Sequence, residues 1–503
     1  MMHALKKHSL LAGTLLLTAA GLTARILGFF YRIFLSRTIG AEGLGLYQMI
    51  FPVYGICFSL CAGSIQTAIS RFTAAFPERA KRTLLTGFAI SFSLSLLLSA
   101  FIWYFSDVLA SRFLLEPRCA PLLPALSLAI PCTSIHACIC GYYYGKEQVH
   151  IPALSQLVEQ AVRIFTVLLA ADICREKGIP LTVQLAVIGL AAGEAASALF
   201  TLLSWLLFSG RAAGNPANSP FFACAAPLMA LALPLMANRL VLNLLQSAEA
   251  VLIPARLVVH GLKQSQALSL YGILTGMAMP FIMFPSAIVN SMAVVLLPSV
   301  ARHQSAGNRS GITQSISLSF RYSLYMGILC IGIFTRFGDT LGIQIFKNPS
   351  AGAFMKVLTW LCPFLYLATT LGSILNGLGK THITFFHNLA ALLVRLGFVY
   401  LGIPRYGIQA CLWGMLLSEL LLSLLHIRSL LRTTSFSPNV WEVLVKPVFC
   451  LSIALGIFLL FPERFFFSGA LPPFFTTALQ ISIVCAGYGL MLLFFHRTGR
   501  TEA

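Results

Sequence analysis

The chain has 503 residues, 58% of them hydrophobic and only 10% charged, with a mean hydropathy of +0.86. A soluble domain carries about 25% charged residues, so a globular surface cannot be covered here, which excludes a soluble enzyme and a disordered or fibrous chain. The net charge of +19 comes from 34 basic and 15 acidic residues scattered between apolar runs, with no basic tail and no nucleic-acid-binding signature, so its sign is read against a bilayer.

A bilayer-crossing helix needs about 20 predominantly apolar residues, and residues 9–35 form the first such run. Lys6-Lys7 followed by Leu10 to Ala20 has the look of a cleaved signal peptide. The apolar pattern continues, however, through Ile26-Leu27-Gly28-Phe29-Phe30 to Leu35, which predicts an uncleaved first span. The second run, 43–70, holds Pro52. The third to seventh occupy 84–106, 120–143, 151–172, 181–208 and 221–247, and the eighth, 267–299, holds Pro280 and Pro285. Six more follow at 313–335, 352–377, 382–402, 407–427, 440–461 and 472–495. Runs one, two and eight are long enough to tilt or kink, and the prolines supply the breaks. The fold class is therefore all-α integral membrane, with about fourteen transmembrane helices. Most of the 13 cysteines (Cys57, Cys61, Cys132, Cys138, Cys140, Cys330, Cys362, Cys411, Cys450 and Cys485) lie inside these runs, where a thiol is a small hydrophobe. Cys138 and Cys140 do not have the CxxC spacing of a redox or zinc site.

Short-loop Lys/Arg counts orient the spans. With the N-terminus inside, the cytoplasmic segments hold fifteen basic residues and the acids Glu78, Glu147 and Glu502. The opposite side holds eleven basic residues and eight acids. Both termini are thereby placed in the cytoplasm of a bacterial cell, consistent with an even number of spans.

The chain also repeats itself. Leu46-Tyr47 matches Leu270-Tyr271 at an offset of 224, Gly145-Lys146 matches Gly379-Lys380 at 234, and Gly189-x4-Glu194 matches Gly414-x4-Glu419 at 225. A shift of six spans preserves orientation, so the halves read as parallel repeats about an axis along the membrane normal, an arrangement of secondary transporters with the substrate site between the halves. The expected domains are a first six-helix bundle at 1–210, a second at 211–435, and two extra helices with a short tail at 436–503.

Charges remaining inside the spans carry the functional information. Eight are basic (Arg25, Arg32, Arg163, Arg239, Arg321, Lys356, Arg395 and Lys446) and four acidic (Glu159, Glu194, Glu419 and Glu442). Lys356, Glu442 and Lys446 are near helix ends and read as interfacial anchors. An arginine at a helix centre costs about 2.5–3.5 kcal/mol on insertion scales, so the deeper ones are expected to face a hydrated cavity or a partner. Arg25 and Arg32 are two turns apart on one face. Glu159 and Arg163 have the i,i+4 spacing of an intrahelical pair, with direct substrate contact as the other reading. Glu194 and Glu419 occupy equivalent repeat positions, where helix-to-helix hydrogen bonding is the plainer role. Arg25, Arg32, Arg239, Arg321 and Arg395 then face only two acids, a balance that attracts anions. Guanidinium groups hold phosphate through paired, charge-assisted hydrogen bonds, so the substrate class is anionic and phosphate-bearing.

No Walker motif is complete: Asn376-Gly377-Leu378-Gly379-Lys380-Thr381 resembles the tail of one, but Ile374 stands at the first glycine position. No HExxH, G-x-S-x-G or paired-carboxylate motif occurs, and His136, His382 and His387 are isolated by spacing. The expectation is a transporter rather than an enzyme, without cofactor, coupled to the membrane potential or a proton or sodium gradient.

The segments Thr23-Ala24-Arg25-Ile26-Leu27-Gly28-Phe29-Phe30-Tyr31-Arg32 and Ile39-Gly40-Ala41-Glu42-Gly43-Leu44-Gly45-Leu46-Tyr47 resemble the N-terminus of polysaccharide-export proteins of the stage V sporulation protein B type. So do Tyr271-Gly272-Ile273-Leu274-Thr275-Gly276-Met277-Ala278 and Leu375-Asn376-Gly377-Leu378-Gly379-Lys380. These belong to the multidrug/oligosaccharidyl-lipid/polysaccharide exporter superfamily, which includes the lipid II flippases. The resemblance covers spans one to twelve. It implies two six-helix bundles in a V, alternating access, and outward movement of an undecaprenyl-pyrophosphate-linked cell-wall or spore-cortex precursor. It also implies a cavity-lining role for Arg25. Where the lipid II flippases carry an Arg-Asp pair shortly after, this chain has Tyr31-Arg32, and the stretch from Gly55 to Gly63 lacks their further arginine. Arg239 is the second-bundle candidate by position. Expected partners are the lipid-linked glycan, membrane lipids and a cell-wall polymerase, with no nucleic acid and a monomeric chain. The rival readings are a cation-coupled drug exporter of the same superfamily, a membrane-embedded transferase on lipid-linked sugars, and a non-transporting scaffold.

Overall fold

The computed structural model describes residues 2–208, 221–432, 439–460 and 472–498. The expected domain boundaries at 210 and 435, and the loop charges Arg211, Glu463, Arg464, Arg500 and Glu502, lie outside them. The described residues contain helices and turns and no strand. Thirteen helices among them are long and apolar enough to cross a membrane, and the protein is a multi-pass, all-α membrane protein. By contacts the chain forms two compact units, Met1–Gly272 and Ile273–Ala503.

In the first unit, α1 (Met2–Thr38) runs unbroken and is followed by α2 (Gly40–Met49), α3 (Phe51–Phe58) and α4 (Ser64–Ala75). Gly40 turns the chain between α1 and α2 at φ +71°. Pro52 in the first turn of α3 and a wide π-turn at Ser59–Gly63 divide the second span, because proline removes a helical donor. Next come α5 (Ala80–Tyr104), the short α6 (Ser106–Val108), α7 (Leu123–Gly145), α8 (His150–Glu176) and α9 (Gln184–Phe208). The long α10 (Phe221–Val259) and α11 (Gln264–Gly272) complete the unit. Helix α8 carries Glu159 and Arg163 mid-length and packs between α1 and α9.

Small residues set the closest approaches, as expected where lipid supplies no competing apolar drive. A Cβ on Gly45 would lie 2.2 Å from the Leu268 carbonyl oxygen, and one on Gly272 2.0 Å from that of Ala41, so α2 and α11 cross with their backbones in contact. The repeat-matched Leu46-Tyr47 and Leu270-Tyr271 sit on these two helices. A buried carboxylate braces the same end. Glu116 accepts from Arg118 Nε at 2.8 Å and from Gln264 Nε2 at 2.7 Å, while Arg118 Nη1 reaches Glu42 at 2.6 Å.

In the second unit, a π-turn at Ile273–Ala278 leads to α12 (Met279–Met283), with Pro280 in its first turn, and α13 (Ser286–Ser305), which starts after Pro285. Then follow α14 (Arg309–Phe346), capped by Asn308, and α15 (Pro349–Leu358), capped by Asn348. The core continues with α16 (Cys362–Gly377), α17 (Thr381–Gly397), α18 (Ile403–Tyr406) and α19 (Ile408–Leu431), before α20 (Lys446–Leu460) and α21 (Pro473–Thr498). The Walker-like segment is the turn from α16 to α17, where Gly379 adopts φ +75° to end the first helix. Many large apolar side chains are exposed, among them Leu97, Phe165, Leu207 and Phe208, as lipid-facing surfaces require.

Candidate functional site

The first unit concentrates its ionisable groups where α1, α3, α7, α8 and α9 meet. Arg163 Nη2 lies 2.5 Å from Glu159 Oε1, one turn back on α8, and 3.8 Å from Glu194 Oε1 on α9. Glu194 is 6% exposed and accepts hydrogen bonds from Tyr54 of α3 at 2.9 Å and Thr133 of α7 at 3.0 Å. The α8–α9 seam is tight because α9 offers glycine to it: a Cβ on Gly193 would stand 2.9 Å from the Glu159 carbonyl oxygen. His136 of α7, isolated in the sequence, shares a 2.9 Å hydrogen bond with Ser155. His136, Glu159 and Glu194 each offer a ligand atom within 4.8 Å of the others. His136 Nε2, one Glu159 oxygen and both Glu194 oxygens already have partners, however, and Arg163 supplies a cation to the two carboxylates.

Helix α1 brings the candidate anion ligands to this cluster. Gly21 and Gly28 face Gln156 and Gln160 of α8, and Arg25 and Arg32, four residues after each, share that face of α1. Arg32 is half-buried and interacts electrostatically with Tyr31, Tyr47 and Arg163, while Arg25 is exposed. Arg239 belongs to a polar stripe on α10 that docks on α3 and α4. Its Nη2 donates to the Thr67 hydroxyl at 3.2 Å, Asn243 donates to the Gly55 carbonyl at 3.2 Å and to the Ser59 hydroxyl, and Ser247 donates to the Pro52 carbonyl at 3.4 Å. Among the described residues, no carboxylate lies within salt-bridge distance of Arg25, Arg32 or Arg239.

The other candidates are in the second unit. Arg321 of α14 has Glu442 at 3.8 Å, so an acid read as an interfacial anchor also balances one of the deep arginines. Lys356 pairs with Asp339. Arg395 of α17 and Glu419 of α19 occupy the places that Arg163 and Glu194 hold on α8 and α9. A Cβ on Gly189 would approach the Arg163 carbonyl oxygen to 3.2 Å, and one on Gly414 that of Arg395 to 3.6 Å. His387 is not isolated, contrary to its spacing in sequence: tertiary packing brings His426 of α19 against it. Spacing alone missed Tyr54, Thr133, Asn243 and His426. Asn243 had a signal, one helical turn from Arg239, whereas the other three join through contacts between different helices.

Residues 10–304 match the polysaccharide biosynthesis protein family. Stage V sporulation protein B of Bacillus subtilis (strain 168) is 27% identical over 448 residues, which cover 87% of this chain and 86% of that one. Lipid II flippase MurJ of the same organism is 23% identical over 401 residues, 74% and 73% of the two chains. In fold, the chain is similar to a lipid II flippase MurJ in an inward closed conformation, with a TM-score of 0.74 at 15% identity, covering 96% of this chain and 99% of that chain. The chain belongs to the polysaccharide biosynthesis protein family.

Proposed function

We propose that this member of the polysaccharide biosynthesis protein family moves a lipid-linked, pyrophosphate-bearing cell-wall or spore-cortex precursor outward across the cytoplasmic membrane. The observation that carries the reading is the pair Arg25 and Arg32 on one face of α1, with no carboxylate within salt-bridge distance among the described residues. A guanidinium at that depth is costly without a counter-ion, and a pyrophosphate headgroup arriving with the substrate meets that need through paired hydrogen bonds. Arg239 commits one donor to Thr67 and keeps others for the same headgroup. Glu159, Arg163 and Glu194 neutralise one another in part and hold α8 against α9, which fixes the surface on which α1 rests. Similarity to the lipid II flippase supports a lipid-linked cargo, and the expected parallel repeat supports alternating access. On this reading both termini face the cytoplasm and translocation draws on the membrane potential or an ion gradient.

The test is flipping by purified protein in liposomes, with lipid II, a teichoic-acid precursor and a cationic dye offered separately. Translocation of one of the pyrophosphate lipids, slowed by about 10- to 100-fold in Arg25→Ala and Arg32→Ala, is the expected result. Dye movement without lipid movement would establish a drug exporter instead. Conversion of labelled precursor to a new product would establish a transferase.

A further inference from the structure

Helices α16, α17 and α19 of the second unit enclose a group that the transport chemistry above does not use. The rings of His387 on α17 and His426 on α19 have centroids 5.1 Å apart and planes inclined by 47°. His426 is 2% exposed. Neither of its ring nitrogens, nor Nδ1 of His387, makes a hydrogen bond. The surrounding wall is small. Ala368, Ala391 and Leu422 pack together there, and a Cβ on Gly372 would lie 3.3 Å from His426 Cε1. Buried polar atoms nearly always have partners, so three unmet ring nitrogens at one place point to a ligand that other side chains do not supply.

The other ionisable groups on these helices identify that ligand. On α16, Cys362 and Tyr366 lie at the start of the helix, and the Tyr366 hydroxyl donates to the Ile282 carbonyl at 3.0 Å. On α17, His382 is exposed in the first turn and Arg395 lies eight residues beyond His387. On α19, Arg428 is exposed and Glu419, the single acid on the three helices, lies seven residues before His426. Two imidazoles with no acid beside them make a poor site for a hard divalent cation. Each neutral ring does offer one lone pair and one N–H, so the pair accepts one proton, which the facing ring can share.

We propose that His387 and His426 form a proton-binding site, in which one imidazole takes a proton from water and shares it with the other. The product carries one added positive charge and leaves hydroxide, or consumes hydronium, in the water. A charge in this apolar surround is costly, so the site loads when the α17–α19 seam admits water and unloads when the seam closes. A group whose proton affinity differs between two conformations couples proton binding to their exchange. Proton binding stands independently of the cargo, and only its use in driving translocation rests on the transporter reading.

The experiment is a solid-state 15N-histidine titration of the full chain in nanodiscs between pH 7.5 and 5, beside His387→Gln and His426→Gln. His387→Gln is the anchor variant, because its position is less buried and glutamine keeps a donor and an acceptor. The expected result is two coupled resonances that titrate together, with the survivor in either variant changing its midpoint by more than about tenfold in proton affinity. Two rings that stay neutral to pH 5 would overturn the proposal. So would independent titration untouched by loss of the partner, or tight binding of zinc alone without a proton step. Liposome flipping under a pH step separates the two readings. Coupled titration with no lipid movement leaves the proton site standing and the cargo reading refuted, whereas lipid movement with no titrating pair does the reverse.

Discussion

Arginines of two kinds share the first unit, and their neighbours separate them. Arg163 is 14% exposed beside two carboxylates, so its loss leaves like charges facing one another in an apolar surround. Breaking a buried pair from one side costs about 3–5 kcal/mol, and Arg163→Ala is expected to lower stability by about 3 kcal/mol in detergent melts. Glu194→Gln keeps an acceptor for Tyr54 and Thr133 and is expected to cost about 1 kcal/mol, close to one hydrogen bond. Arg25 is exposed, with no carboxylate at salt-bridge distance. Arg25→Ala is accordingly expected to leave the melting temperature unchanged and to slow lipid flipping by about 10- to 100-fold, the worth of a charge-assisted contact at about 1.5–3 kcal/mol. A fall in stability of Arg25→Ala equal to that of Arg163→Ala would erase the distinction. The spacing of Glu159 and Arg163 is legible in the sequence because one helix sets it. Glu194, Tyr54 and Thr133 come from three other helices, and no local pattern announces their meeting; the same holds for His426 beside His387.

Breaks in the helices follow from proline and glycine chemistry, so the division of the second and eighth spans is readable from Pro52, Pro280 and Pro285. The crossing of α2 and α11 is not, because glycines are common throughout this chain and several of them meet a facing carbonyl oxygen, so no local pattern singles out Gly45 and Gly272. Gly45→Ala and Gly272→Ala each place a methyl within 2.2 Å of backbone oxygen. The helices must then move apart, and each variant is expected to lose about 1–3 kcal/mol, the usual cost of overpacking. Gly489, within α21 and with nothing near its would-be Cβ, serves as the position where added bulk meets no neighbour. The brace at the same end is sensitive to pH. Burial raises the Glu116 carboxyl, but hydrogen bonds from Arg118 and Gln264 outweigh it and hold the group below the ordinary carboxylate range. Such a group adds stability above its unfolded pKa of about 4.3, and that stability is lost as pH falls through the lower folded value. Melts of the wild type between pH 7 and 3 are expected to fall more steeply at the acid end than those of Glu116→Gln; parallel curves would show that the brace contributes nothing.

For the whole molecule, two orderings act together. The repeat places an arginine and a glutamate at matching points of α8–α9 and α17–α19, with a glycine approaching the arginine's carbonyl oxygen in both seams. Matching helices at even spacing keep the same direction through the bilayer, so the orientation of one half dictates that of the other. In the proposed orientation, direction is set by loop charge, with twelve net positive charges assigned to the cytoplasmic side and three to the other, because basic loops stay in the cytoplasm. Lys177, after α8, and Arg309, at the start of α14, are both exposed. Three crossings separate them: α9, α10, and the broken run from α11 to α13. Lys177→Cys is therefore expected to react with an impermeant maleimide in intact cells, and Arg309→Cys only after permeabilisation. The native thiols give little background, since all thirteen are buried or half-buried. The reverse pattern would invert the protein and make the proposed export an import. Labelling of both from one side would remove a crossing, and with it the parallel relation between the halves on which alternating access depends.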